Sequence, residues 1–180
     1  MTLFPFFEDI DNKTFLVIGG GKVAKGKINR LKQFTNKIIV IAPETDITEC
    51  KVIKKEFEES DLALADYVIG ASDDGELNKK ISFLCQARGI SVNIVDDSSL
   101  CTFIFPSLIK RGDLTVGITT NGKSPALSQY LRQEIEKLIP DDIESIIDEI
   151  SALREQLKND VPNQKDRAEI LKNKLAELMK

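Results

Sequence analysis

Three consecutive glycines, Gly19-Gly20-Gly21, end the apolar run Thr14–Ile18 (TFLVI) and lead straight into Lys22–Phe34, which has helical period with Val23, Ile28 and Leu31 among basic residues. A strand that breaks at glycines and continues as a helix is a β-turn-α unit, and no other feature narrows the fold as much. The alternation then repeats. Ile38–Ala42 (IIVIA) is a second strand stopped by Pro43, Lys51–Lys54 a weaker third, Tyr67–Ala71 a fourth and Ser91–Val95 a fifth. Leu77–Arg88 has helical period, and Gly89 suits its C-terminal stop. Strands that read as unbroken apolar runs are covered on both faces, so an α/β fold is expected, a parallel sheet with helices on both sides.

Gly19–Ala24 fits G-x-G-x-x-[G/A], placed after a strand and opening a helix. Glycines there let backbone amides approach a pyrophosphate, and the helix N-terminus adds partial positive charge. The motif reads as a dinucleotide-binding turn of a Rossmann-like sheet, the alternative being a purely structural turn. Glu44 follows the second strand, a little further from the motif than the usual ~20 positions. It is either an acid for the ribose hydroxyls or a solvated loop charge. No Arg sits beside it to receive a phosphate, which favours NAD over NADP.

The pattern changes near residue 100. Thr102–Ile109 and Asp113–Thr119 are β-rich, with Lys110-Arg111-Gly112 between them to turn the chain. Ser124-Pro125 suits a helix start, Ser as N-cap and Pro in the first turn, and this helix ends at Pro140. From Asp141 the tail is helical. Ile143, Ile146, Ile147, Ile150, Leu153 and Leu157 form one apolar stripe; a break at Asp160–Asn163 precedes a second helix carrying Ile170, Leu171, Leu175 and Leu178. Such stripes pack on the parent domain or on a second copy of the chain. The expected division is a nucleotide-binding domain over 1–112, a small α+β segment over 113–140 and a helical region over 141–180.

Composition excludes more than it suggests. The chain has no histidine, which removes Ser-His-Asp and Cys-His catalysis and His-ligated zinc. Proton transfer must fall to Asp, Glu, Lys, Tyr or Cys. A net charge of −4 argues against general nucleic-acid binding without excluding a local basic pocket. No run approaches the ~18 apolar residues of a membrane span, and MTLFPFFEDI lacks the features of a signal peptide. Cys50, Cys85 and Cys101 form no CxxC and suggest a reducing cytoplasm. The only tyrosines, Tyr67 and Tyr130, are followed four positions on by Ala71 and Glu134, so the Tyr-x-x-x-Lys pair of short-chain dehydrogenases is missing, as is a Walker A motif.

Ordered motifs then bring a family into view. Phe4-Pro5-Phe6-Phe7 precedes the first strand; Gly19–Ala24 has the form GGGxVA; Ala71-Ser72-Asp73-Asp74 is followed by Asn78. Val92–Asp96 (VNIVD), Phe103–Ser107 (FIFPS) and Gly122–Leu127 (GKSPAL) complete the set. On these residues the sequence resembles the precorrin-2 dehydrogenase family over roughly residues 3–140, in a stand-alone form without a methyltransferase domain. Gly26 departs from the Arg common in that family, while Lys27 is kept.

The resemblance implies NAD-dependent oxidation of precorrin-2 to sirohydrochlorin, with iron insertion as a second activity in some members. A non-catalytic NAD-sensing module is the alternative. It implies Asp96 as the catalytic carboxylate; the residues themselves place it at the C-terminal end of the fifth strand, where open α/β sheets bind ligands, with loop capping as its alternative role. Asp97 is expected to be solvated. Expected cofactor residues are Gly19, Gly20, Gly21, Lys22, Val23, Pro43, Glu44, Ser72, Asp73 and Asn93. Asn93 is equally well read as satisfying a backbone group, and Asp73 with Asp74 as capping the next helix. Arg111, Lys123 and Ser124 are the candidates for the substrate's carboxylates, and no metal ligands are expected. The family's homodimers make the 113–140 segment a dimerisation region.

Overall fold

The computed structural model describes residues 2–179 and divides into two compact units, with the boundary between Phe105 and Pro106. In the first, β1 (Phe15–Ile18), β2 (Ile38–Ile41), β3 (Lys51–Ile53), β4 (Tyr67–Gly70) and β5 (Ser91–Ile94) form one sheet, all neighbours parallel, in the order β3-β2-β1-β4-β5. The expected Rossmann-like fold is therefore the observed one. Side-chain alternation builds a core on each face. Phe15 and Val17 point with Val40 and Ile69 toward α1 (Lys22–Leu31), which buries Ala24, Ile28 and Leu31 there. Leu16 and Ile18 point with Val68 and Val92 toward α2 (Gly75–Ala87), which buries Ile81 and Cys85. Val23, expected with the apolar set of α1, is instead exposed; Ala24 takes the buried position in the first turn.

The outer edge of β5 is not left open. Thr102 Oγ1 accepts from Val92 N (2.8 Å) and Thr102 N donates to Val92 O (2.8 Å). Ile94 N donates to Cys101 Sγ (3.1 Å), and Asn93 Nδ2 donates to Phe103 O (3.0 Å). Thr102 and Phe103, expected at the start of a β hairpin, run along this edge without forming a strand.

The second unit begins with an antiparallel pair, β6 (Ser107–Arg111) and β7 (Leu114–Ile118). Lys110 and Arg111 belong to β6, opposite Thr115 and Leu114, so the turn is Gly112-Asp113 rather than Lys110–Gly112. Gly112 has φ +51, a left-handed value that a side chain disfavours. Because β6 pairs with β7, the expected boundary at 112 lies inside the hairpin, and residue 106 begins the unit. The tail clusters with this hairpin rather than as a separate region. Ser124 caps α3 (Pro125–Glu136), accepting from Leu127 N (3.3 Å), with Pro125 in the first turn. In α4 (Ile143–Asp160) the expected stripe is the covered face: Ile146 and Leu157 are buried and Ile143, Ile147, Ile150 and Leu153 partly so. The hairpin turns at Val161–Asn163, where Arg167 Nη1 donates to Val161 O (2.7 Å), and α5 (Gln164–Leu178) returns along α4. Ile170 and Leu175, expected on the apolar side of α5, are largely exposed; Leu171 and Leu178 are the covered ones.

Candidate active site

The glycine turn is built by close approach. Gly19 has φ +118, and a Cβ there would lie 2.2 Å from the Ala71 carbonyl oxygen. A Cβ on Gly20 would meet the Glu44 carbonyl oxygen and Thr45 Cβ, each at 2.6 Å. The segments after β1, β2 and β4 therefore converge at their C-terminal ends, the crevice where open α/β sheets take ligands. Thr45 fastens the contact by donating from Oγ1 to Gly20 O (2.9 Å). Sequence reasoning missed it, because a threonine beyond Pro43-Glu44 carries no motif.

Gly21 is different. A Cβ there meets nothing within 4 Å. It is the N-cap of α1, which has no side-chain cap and no acid in its first turn, whereas α2, α3 and α5 are capped by Asp74, Ser124 and Asn163. First-turn amides have no intrahelical partners. At α1 they are left facing open space with the positive end of the helix dipole behind them. These residues fit the pyrophosphate of a dinucleotide. Lys22, Val23, Pro43 and Glu44 are exposed around the turn. Ser72 Oγ accepts from Asp74 N (3.1 Å), and Asp74, not Asp73, caps α2 by accepting from Glu76 N and Leu77 N (2.9 and 3.1 Å). Asp73 is exposed beside it.

Beyond β5 the chain turns at Asp96, whose φ of 61 is rare for a residue with a side chain. Cys101 braces this turn from within: its sulfur lies 3.2 Å from both Ile94 O and Asp97 O. Asp97 is not simply solvated. Its carboxylate accepts from Ser99 Oγ (2.5 Å) and Ser99 N (3.0 Å), and the serine hydroxyl, then the serine amide, hold its carboxyl below the usual range. The capping role considered for Asp96 thus belongs to Asp97. Asp96 remains exposed, its carboxylate free of hydrogen bonds among the described residues.

Asn93 is buried and turned inward. Besides Phe103 O, its amide nitrogen lies 3.5 Å from Cys101 Sγ, and its Oδ1 accepts from Lys27 Nζ (3.4 Å). Lys27 crosses from α1 with its ammonium 4.4 Å from the centroid of Phe105. Burial, then the Arg30 guanidinium, lower its pKa, against the opposing pull of Cys101 and Asp96. Lys27 therefore belongs to an internal network, not to a solvent-facing basic patch.

The expected substrate residues lie in the second unit. Arg111 pairs with Glu136 (3.8 Å) and Asp141 (3.5 Å) and lines a groove of about 450 Å³ with Gln133, Lys137 and Ile139. Lys123 is exposed and makes no ion pair among the described residues, while Ser124 Oγ is engaged as the cap of α3. No group of three or more Cys, Asp or Glu side chains arranged to hold a metal occurs among the described residues. No helix among them is long and apolar enough to cross a membrane.

A five-stranded parallel sheet with a glycine turn presenting uncapped helix amides at its centre defines a dinucleotide-binding protein of Rossmann type. The chain belongs to the family described as "Putative NAD(P)-binding", whose model matches residues 6–107. Residues 111–138 match the model described as "Sirohaem biosynthesis protein central". Similar curated proteins include a siroheme synthase of Methylobacillus flagellatus, 38% identical over 148 residues, covering 78% of this chain and 32% of that protein. A siroheme synthase of Ruthia magnifica is 33% identical over 175 residues, covering 93% of this chain and 37% of that protein. The chain thus spans about a third of the length of the curated relatives it matches. Among solved structures, one titled SirC, precorrin-2 dehydrogenase, superposes with a TM-score of 0.75 at 22% identity, covering 95% of this chain and 88% of that one.

Proposed function

We propose that the protein oxidises precorrin-2 to sirohydrochlorin with NAD as acceptor, a step of siroheme biosynthesis. The observation that carries the reading is the pairing of two features at one end of one sheet. An anion cradle opens at Gly21, and a hydrogen-bond-free carboxylate stands at Asp96. Siroheme synthases among the relatives supply the substrate class. NAD held through its pyrophosphate at the turn would supply the hydride acceptor for the macrocycle. The chain's own residues do the rest. Amides of Gly21, Lys22 and Val23 hold the pyrophosphate, Glu44 stands beside Gly20 for the ribose hydroxyls, and Ser72 and Asp73 border the cofactor's far half. Asp96 takes the proton released as conjugation extends, so that one hydride and one proton leave together. Asn93 acts from behind, through the β5 turn. Lys123, beside the N-terminus of α3, and Arg111 meet substrate carboxylates. Iron insertion is not part of this reading.

A second copy of the chain is the proposed partner, supported by Leu127, Tyr130, Leu131 and Leu138, which leave apolar surface exposed on and after α3. Three free cysteines fit a reducing compartment, the cytoplasm. The test is spectroscopic: protein, precorrin-2 and NAD are mixed anaerobically, and sirohydrochlorin and NADH are expected to appear in equal amounts. Asp96→Asn is expected to bind NAD normally and lose turnover by on the order of a hundredfold or more, the usual contribution of a positioned base. NAD binding with no oxidation of precorrin-2 overturns the reading in favour of a sensor.

A further inference from the structure

Lys27 is a half-buried ammonium without a directly paired carboxylate among the described residues. A charge withdrawn from water in this way is costly unless other groups compensate it. Its compensation is visible. The Phe105 ring lies 4.4 Å from Nζ and Asn93 Oδ1 lies at 3.4 Å. Three groups face it electrostatically: Arg30 from its own helix, Cys101 from the segment sealing β5, and Asp96 from the turn after β5. Of these only Asp96 is a carboxylate. The other acid of that turn, Asp97, is held by Ser99 and faces Lys79. A continuous set of contacts links the two ends. Lys27 holds Asn93, Asn93 touches Cys101, and Cys101 grips the carbonyls of Ile94 and Asp97 that flank Asp96.

We propose that Lys27 is a positioning residue for the reaction, its ammonium fixed behind the β5 turn so that Asp96 is held in place to receive the substrate's proton. The proposal rests on the dehydrogenase reading above. It assigns to α1 a second task beyond holding the pyrophosphate: the same helix that presents its amides to the cofactor carries the ammonium that braces the turn bearing the base.

The pH behaviour follows from the direction already given. Because burial lowers the pKa of Lys27, the ammonium loses its proton below the pH at which an ordinary lysine does, and turnover falls with it on the alkaline side. Arginine does not titrate in that range.

The experiment compares the full chain with Lys27→Met, Lys27→Arg and Asp96→Asn, measuring turnover of precorrin-2 against pH and NAD affinity by calorimetry. Lys27→Met is expected to lose turnover on the order of tenfold near neutrality, the scale of a small misplacement of a catalytic group, with NAD affinity unchanged. Lys27→Arg is expected to restore most of that loss and to abolish the alkaline fall. Where Lys27→Met does not fold, the comparison of wild type with Lys27→Arg carries the test alone, through that alkaline limb. A Lys27→Met enzyme with wild-type turnover, a loss that Arg leaves unrestored, or an alkaline limb that persists in Lys27→Arg overturns the inference while Asp96→Asn remains inactive. Wild-type turnover in Asp96→Asn overturns the dehydrogenase reading and this inference with it.

Discussion

Two neighbouring glycines should fail in opposite ways when a methyl group is added. At Gly19 the backbone sits at φ +118, and the new Cβ would lie 2.2 Å from the Ala71 carbonyl oxygen. The dihedral alone costs about 1–3 kcal/mol, and relieving a contact with main chain adds to it, so Gly19→Ala should destabilise by roughly 3 kcal/mol. For a chain of this size that is a fall in Tm of roughly 10 °C. At Gly21 the conformation (φ −82, ψ −173) is open to any residue, and nothing lies within 4 Å of the added carbon. Gly21→Ala should therefore cost about 1 kcal/mol or less, the difference between Gly and Ala at an N-cap. The space it fills is the space a pyrophosphate needs. NAD affinity should drop by about tenfold for Gly21→Ala and by about a hundredfold for Gly21→Asp, which adds charge repulsion; this is ~1.4 kcal/mol per decade. Thermal unfolding followed by circular dichroism and NAD titration by calorimetry separate the two effects. The reasoning is refuted if Gly19→Ala melts with wild type, or if Gly21→Asp melts normally and still binds NAD at wild-type strength.

Two further outcomes follow from a partly buried phenol and the thiols. Burial, then the Glu8 carboxylate at its hydroxyl, push Tyr67 up to about 12 from 10.0, so the fold favours the neutral phenol. That stabilisation is complete below the unfolded value and lost as pH rises toward about 12. A melting series across this range should fall steeply for wild type and less so for Tyr67→Phe; equal slopes would count against it. Burial pushes the Cys85 thiol up to about 11 and raises Cys101 and Cys50 as well. At mildly alkaline pH a thiol reagent should label the native protein slowly and the urea-unfolded protein rapidly; fast native labelling of all three would show that these thiols are not shielded.

Much of the first unit was legible because its information is local. TFLVI, IIVIA and YVIGA are apolar almost throughout, as strands covered on both faces read, and the glycines after the first mark the turn. What resisted reading depends on distant partners. Residues 102–105 have strand-like composition, yet Thr102 joins β5 through its hydroxyl and a single amide and Phe103 through a lone carbonyl, and strand formation begins only at Ser107, where Ile118 provides a register. Val23 and Ala24 are both apolar, and only the position of the sheet decides which is covered. In the site, Gly19–Gly21 and Asp96 were visible as motif and strand end. Thr45, Cys101 and the inward use of Lys27 were not, since each acts across a sequence separation that carries no periodic signal, whereas the backbone-satisfying role offered for Asn93 is the one it takes with Phe103 O.

The sealed edge of β5 has a consequence for how this chain can grow and associate. Main-chain groups of Val92 and Ile94 along that margin already bond to Thr102 and Cys101, and the Asn93 side chain bonds to Phe103 O, so a visiting strand finds no ladder to extend. The sheet is finished at five strands from that side, and the polypeptide after Phe105 is released to build a body of its own. A second copy seeking to extend the sheet meets no free ladder on this margin, so association of copies falls to other surfaces.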